Sequence, residues 1–220
     1  MNSAEERAYR FIINEILSGT YHPGDFLLEL DLAPKLDMSR TPVSRALARL
    51  VSEGFLNKIP KKGCYIPIPT PQDAEAIFTA RQVAEGEAAA LVAQHTSESV
   101  ITMLEEILIR DAVAFENKDK EEWANVNEDF HLFIAQSCHN QYIKKWVQNM
   151  FWRSNVYIFY FDQFYKPPSN VNIVHETPAQ HINIVQAIKN RDPDKARSIM
   201  KEHIYTAYAK LSIQNNIGIV

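Results

Sequence analysis

Cysteine and glycine are scarce in this sequence, which has two cysteines and six glycines among 220 residues. Cys64 and Cys138 form no CxxC motif, so a disulfide framework is not indicated and both are predicted to be free thiols. No apolar run approaches the roughly 18–20 residues that a membrane span needs. The charged, amphipathic N-terminus lacks the apolar core of a signal peptide, so we expect a cytoplasmic protein with no membrane partner.

An excess of positive charge is also missing, because 23 Lys and Arg stand against 27 Asp and Glu, a net charge of −4. The distribution is uneven: residues 1–69 hold 9 basic and 8 acidic side chains (+1), and residues 70–220 hold 14 and 19 (−5). Between residues 40 and 62 there are six basic residues, and Glu53 is the single acidic one. DNA attraction depends on the local field of the contacting face, so the acidic total does not exclude DNA binding.

Two breaks organise the chain: a Pro-Gly turn at 23–24 and the Pro-Ile-Pro-Thr-Pro segment at 67–71, which favours an extended linker. We predict domains at 1–69 and 70–220. In the second domain, apolar residues at helical spacing predict helices near 72–94, 98–116, 120–138, 141–161, 177–190 and 193–213. The segment 162–176 is predicted to be a loop or a short extra helix. The predicted fold class is mainly α, with an N-terminal winged helix-turn-helix and a C-terminal all-α bundle of six or seven helices.

A helix with one apolar and one basic face is predicted to start at Thr41-Pro42, with Thr41 as the cap and Pro42 in the first helical position. Its buried face is predicted to comprise Val43, Ala46, Leu47 and Leu50. Arg45 and Arg49 lie on the opposite side, and Arg40 comes just before the helix. Guanidinium groups in these positions reach phosphates and guanine edges in a DNA major groove.

A basic hairpin is predicted after this helix, with strands near 55–60 and 63–68. It closes through Lys61, Lys62 and Gly63, and glycine permits the positive φ that a tight hairpin needs. The two lysines are predicted to lie against DNA phosphates or the minor groove. Helix, turn, arginine-bearing helix and basic hairpin together predict a winged helix-turn-helix that binds double-stranded DNA.

Residues 5–68 resemble the DNA-binding domain of gntR-family bacterial transcription regulators. The shared motifs are Pro-Gly at 23–24, Leu27-x-Glu29-x-x-Leu32-Ala33, Ser-Arg-Thr-Pro-Val at 39–43, Arg49-Leu50 and Glu53-Gly54. The resemblance implies DNA contacts by Ser39, Arg40, Thr41 and Gly63. One departure is that Ser44 and Arg45 stand where the family usually has Arg and Glu. Either Arg45 acts from a position displaced by one residue, or the operator preference differs.

Three histidines are predicted to point inward from three different helices: His131, His181 and His203. Imidazoles are good ligands for Zn²⁺ and other borderline divalent ions. Asn127 lies one helical turn before His131 and is a candidate fourth, weak ligand, with Glu128 as the second choice. The alternative for each histidine alone is a core side chain that only hydrogen-bonds. His175 lies near enough to His181 in sequence to be a spare ligand.

Residues 72–210 resemble the FCD ligand-binding domain of the FadR-type branch of the same family. The matching pieces are Arg-Gln-Val-Ala-Glu at 81–85, Phe-His at 130–131, Asn140, the segments at 181–188 and 192–196, and His203. The resemblance implies a metal held by three histidines and an aspartate, with a small carboxylate effector beside it. The aspartate position falls on Asn127, which removes one negative charge and should weaken metal binding while favouring an anionic effector.

Arg81 matches an arginine of the family's effector cavity, so the resemblance implies a carboxylate clamp. The alternative for Arg81 is an ion pair with Glu85, four residues later. Zn²⁺ is the preferred metal, with Ni²⁺ and Mn²⁺ as alternatives.

The sequence therefore predicts a ligand-responsive transcription regulator that is not an enzyme. It is expected to act as a homodimer on a short palindromic operator, because two half-sites need two recognition helices. Repression is the expected mode, and activation stays open. Two other hypotheses are a direct metal sensor without an organic effector and, third, a metalloenzyme.

Overall fold

The computed structural model describes residues 3–161 and 177–211. These residues contain nine helices and three short strands. The N-terminal part contains α1 (Ala4–Leu17), β1 (Phe26–Leu27), α2 (Glu29–Lys35), α3 (Arg40–Ser52), β2 (Asn57–Ile59) and β3 (Gly63–Tyr65). The C-terminal part contains α4 (Pro71–His95), α5 (Glu98–Glu116), α6 (Lys120–Ser137), α7 (Gln141–Phe161), α8 (Thr177–Lys189) and α9 (Pro193–Ala209). The predicted fold class is confirmed. The predicted segment 162–176, with His175, lies outside the described residues.

The start of α3 differs from the prediction, since the helix begins at Arg40 with Ser39 as its N-cap residue. The prediction that Thr41 caps the helix was wrong. Pro42 is tolerated as the third helical residue because backbone N–H groups in the first turn have no partner within the helix. Arg40 is therefore part of the helix, one turn before Ser44. The apolar face of α3 is buried as predicted, and the helix packs against α1.

The wing is a three-stranded antiparallel sheet in the order β1-β3-β2, with Leu27 and Lys58 both opposite Cys64. Where β2 turns into β3, the backbone has positive φ at Lys61 (+66°) and at Gly63 (+122°). A Cβ atom at Gly63 would lie 2.6 Å from the Leu28 side chain, so glycine is required there for space as well as for backbone conformation. The strands are shorter than predicted, and the two-residue β1 was not predicted.

Helix α4 is the centre of the C-terminal bundle and packs against α6, α7, α8 and α9. Thr70 caps it by accepting a 3.2 Å hydrogen bond from the Asp73 amide, and Pro71 occupies its first position. Its buried positions are rich in alanine, which lets neighbouring helices approach closely on several sides. No helix among the described residues is both long and apolar enough to cross a bilayer.

The described residues form two hydrophobic cores, and one of them contains side chains from both parts of the chain. Helix α7 contributes Phe151, Trp152 and Phe159 to the core that also contains the buried face of the winged helix-turn-helix. Polar contacts add to it, since the Tyr160 hydroxyl donates to the Tyr21 carbonyl oxygen at 2.6 Å. Helix α7 is therefore in contact with both functional regions of the molecule.

Candidate DNA-binding groove and histidine site

A basic groove of about 430 Å³ lies between α3 and the wing. Its charged lining includes Arg40 from α3 and Lys58, Lys61 and Lys62 from the wing. Ser44 lines the same groove, while Arg45 is exposed on α3 but does not line it. Ser39 and Thr41 are exposed at the start of the helix. A helix and a hairpin that present cations on one side match the way a winged helix-turn-helix lies on duplex DNA.

The exposed cations of α3 and the wing are not held in ion pairs by the described residues, although the acidic Glu29 also lines the groove. Arg40, Arg45 and the three wing lysines form no ion pair with any residue that the structure describes. Lys58 was counted in the sequence as part of the basic region but was not predicted as a contact. Its position follows from the β2–β3 register, which no sequence motif specifies.

Arg49 has a different environment from the other predicted DNA contacts. Its guanidinium donates to Glu53 at 2.9 Å and to Glu6 at 2.8 Å, and lies 3.9 Å from the centre of the Tyr9 ring. Burial alone would lower the pKa of Arg49, but these carboxylates outweigh it and raise the pKa. Arg49 thus ties α3 to α1 within the domain, which leaves its charge internally compensated.

The three predicted histidines come together in the core of the C-terminal bundle. His131 on α6, His181 on α8 and His203 on α9 are all buried. The His203 Nε2 atom lies 3.3 Å from the Nε2 atom of His181 and 3.3 Å from that of His131. Zn²⁺ bound tetrahedrally at Zn–N distances of 2.0–2.1 Å requires N···N separations of about 3.3–3.4 Å. Two of the three separations therefore suit a tetrahedral ion, and all three ligand atoms lie within 4.8 Å of one another.

The Nδ1 atom of each histidine contacts a polar side chain. Nδ1 of His181 lies 2.8 Å from Asp111 Oδ2, Nδ1 of His203 lies 2.9 Å from Gln180 Oε1, and Nδ1 of His131 contacts the Glu85 carboxylate. Carboxylate oxygens accept a hydrogen bond from Nδ1, and this arrangement turns the Nε2 lone pairs of His131 and His181 toward the centre of the cluster. The donor set therefore fits a divalent metal ion.

The protonation state of His131 also suits a metal ligand. Burial lowers the pKa of His131 to about 4, against the opposing effect of Glu85. Burial would raise the pKa of Glu85, but Arg81 and His131 outweigh it and hold this pKa at about 2. A neutral imidazole beside an ionised carboxylate is the form in which histidine binds metals at neutral pH.

Arg81 is the cationic residue of the cavity beside the histidines. It is 1% exposed, and its Nε donates to Glu85 at 2.5 Å while its Nη1 donates to Ser154 at 2.7 Å. Its Nη2 has no hydrogen-bond partner among the described residues. Both alternatives for Arg81 are thus compatible, because the ion pair with Glu85 forms and one buried donor group remains free. An unpaired buried donor of this kind favours an anionic ligand.

The cavity itself is narrow, with a volume of about 30 Å³ as bounded by the described residues. Arg81, Asn127, His131 and His203 line its polar side, and Trp123 and Phe159 are among its apolar lining. Asn127 therefore borders the histidines, as predicted from its spacing. Glu128, the second choice, instead lies 3.8 Å from Arg10 of α1, where burial raises its pKa to about 7. Facing the DNA-binding domain, it is not part of the histidine cluster.

Two family matches cover most of the chain. Residues 4–66 match the gntR family of bacterial regulatory proteins, and residues 76–206 match the FCD domain. The chain therefore belongs to the FCD-containing, FadR-type branch of the gntR-family transcription regulators. It is a DNA-binding regulator, and its relatives are regulators as well, not enzymes.

Individual relatives agree with this family. The HTH-type transcriptional repressor RspR of Escherichia coli K12 is 25% identical over 201 residues, which cover 90% of this chain and 85% of that protein. An HTH-type transcriptional regulator encoded in the TAR-I ttuE-ttuC' intergenic region of Agrobacterium vitis is 35% identical over 127 residues, covering 56% of this chain and 74% of that protein. The solved structure of E. coli McbR/YncC superposes with a TM-score of 0.80 at 25% identity, covering 98% of this chain and all of that one.

Proposed function

We propose that this regulator holds a divalent metal at His131, His181 and His203 and binds a small carboxylate effector beside it, which changes its affinity for operator DNA. The observation that carries the proposal is the convergence of three buried histidines, whose ligand atoms lie within 4.8 Å of one another, beside the Arg81 Nη2 atom that has no partner among the described residues. The three histidines supply three ligands, and Asn127 is proposed as a weak fourth. Zn²⁺ is the preferred ion, because two of the three nitrogen separations suit tetrahedral coordination. Ni²⁺ and Mn²⁺ remain the alternatives.

The effector is proposed to place its carboxylate between the metal and Arg81. A bound metal would supply a Lewis-acidic position beside the histidines, and the Arg81 Nη2 would donate a hydrogen bond to the carboxylate. Because the cavity is small, the occupant has few heavy atoms or the cavity widens on binding. Thr177 and Asn155 line the same space.

DNA binding is proposed to use Arg40, Ser44, Lys58, Lys61 and Lys62, with Ser39, Thr41, Arg45 and Gly63 at the edges of the groove. Arg49 is reassigned to holding α3 in place. A homodimer is proposed, because one recognition helix reads only one half-site of a palindrome. Repression is the proposed mode, and the similarity to the transcriptional repressor RspR supports it.

A panel of small carboxylates tested on the zinc-loaded protein checks the effector proposal. We expect some of them to raise the melting temperature and to change operator affinity. In Arg81→Lys, which keeps the charge beside Glu85 but loses the planar donor, these compounds should bind about 10–100-fold more weakly, since a charged hydrogen bond contributes about 1.5–3 kcal/mol. Metal affinity should stay the same.

The control for this experiment is Arg110→Lys, which alters an exposed arginine paired with Glu122 and Asp129 on the bundle surface. It should bind the compounds like the wild type. Equal binding by Arg81→Lys and the wild type would contradict the clamp. If zinc alone produces the full change in operator affinity and no carboxylate adds to it, the protein is a direct metal sensor instead.

A further inference from the structure

We infer that Trp152 is a positioning residue that carries the state of the histidine site to the recognition helix. This inference rests on the proposed function. It concerns a set of five aromatic rings, called here the ring seam: Tyr9, Phe55, Phe151, Trp152 and Phe159. Three of them belong to α7, and the other two belong to the DNA-binding domain.

One end of the ring seam touches the histidine site. The Phe151 ring lies 5.5 Å from the His131 ring, and 5.2 Å separates its centre from the guanidinium carbon of Arg81. Phe159 lines the cavity itself. Phe151 is fully buried, so it has no free space into which to turn when His131 or Arg81 changes position.

The middle of the ring seam is Trp152, which contacts rings on both sides of the domain boundary. It packs edge-on against Phe151 at 5.6 Å, against Phe55 at 5.6 Å and against Tyr9 at 6.2 Å. Phe159 makes a parallel connection, because it lies 6.1 Å from Phe55. Displacement of Phe151 therefore reaches the DNA-binding domain through Trp152.

The other end of the ring seam is fastened to α3. The Tyr9 hydroxyl donates to Glu53 at 2.8 Å, and the Arg49 guanidinium lies 3.9 Å from the centre of the Tyr9 ring. Arg49 and Glu53 stand at the C-terminal end of the helix whose start presents Arg40 to the groove. A shift of Tyr9 thus reorients the helix that lines the DNA-binding groove.

The backbones of the two regions also meet closely at this place. A Cβ atom on Gly54, just after α3, would lie 3.1 Å from the Asn149 carbonyl oxygen of α7. This close backbone contact leaves little space for α7 and the end of α3 to move independently. The two helices therefore move together when the ring seam is intact.

Hydrogen exchange on the full chain, with Zn²⁺ alone as the probe, tests this inference without a known effector or operator. Zinc affinity is measured in parallel by calorimetry. In the wild type, zinc should change amide exchange in α1 and α3 by about five-fold or more, the lower end of common coupling between sites. In Trp152→Leu, zinc should bind with wild-type affinity, while α1 and α3 no longer respond.

Two variants control this test. Trp146→Leu removes an exposed tryptophan from the same helix and should keep the wild-type response. Trp152→Phe retains a ring and should restore at least part of the response. If Trp152→Leu does not fold, Phe55→Leu removes the ring contacts of Phe55 with Trp152 and Phe159 from the other domain. It leaves the contact between Trp152 and Tyr9 in place and is expected to weaken the response.

The outcomes separate this inference from the proposed function. A wild-type response in folded Trp152→Leu, or zinc binding in the wild type with no change in α1 and α3, would overturn the inference and leave the metal site standing. Failure of the wild type to bind zinc would overturn the metal site, and the inference with it. If Trp152→Leu loses both the exchange response and zinc affinity, Trp152 acts only by supporting the packing of the histidine site. This outcome would also overturn the inference.

Discussion

Arg40 and Arg81 are the same residue type in two opposite environments. Arg40 is exposed at the start of α3 and forms no ion pair with a described residue, whereas Arg81 is 1% exposed and held by Glu85 and Ser154. A long polyanion such as DNA can meet an exposed cation in many geometries, so groove cations contribute in similar ways. A buried cation has one geometry, so its partners decide which ligand fits.

The largest expected effect is a loss of stability when the buried ion pair between Arg81 and Glu85 is broken. Glu85→Gln leaves Arg81 buried without its carboxylate and should lower the free energy of unfolding by about 3–5 kcal/mol. The matched control is Glu105→Gln, which removes an exposed ion pair with Lys189 and should cost about 1 kcal/mol or less. Urea unfolding measures both. Similar small losses would mean that burial does not set the value of the Arg81–Glu85 pair.

A smaller effect should distinguish two arginines within the DNA-binding domain. Arg49→Ala is expected to lower the free energy of unfolding by roughly 1–2 kcal/mol, because it removes two ion pairs and a ring contact. Arg40→Ala should leave stability within about 0.5 kcal/mol and reduce the salt dependence of operator binding by about one unit of slope. Mobility-shift titrations at several salt concentrations, beside urea unfolding, measure both. An equal reduction in salt slope for Arg49→Ala would restore it as a phosphate contact.

The sequence predicts elements well where local signals are strong. Helix α5 has the predicted bounds, 98–116, because its apolar spacing and its Ser97 cap act within one segment. The inward direction of His131, His181 and His203 also follows from helical spacing, and the structure brings their Nε2 atoms together. These features depend on neighbours close in the chain.

The sequence predicts poorly where a partner comes from a distant element. Asp111 on α5 fixes His181 across 70 residues of sequence, and no motif marks it. The role of Arg49 depends on Glu6 of α1, 43 residues earlier, which a helical-face argument cannot detect. The start of α3 was misplaced because Thr41-Pro42 and Ser39 are both acceptable helix starts by local rules.

The metal content of the purified protein tests the account most directly. Metal analysis should find close to one divalent ion per chain in the wild type after expression in zinc-supplemented medium. The ion should be lost in the His131→Ala, His181→Ala double variant and retained in His95→Ala, which alters an exposed histidine at the end of α4. Equal metal content in the wild type and the double variant, or no metal in the wild type, would contradict the proposed metal site.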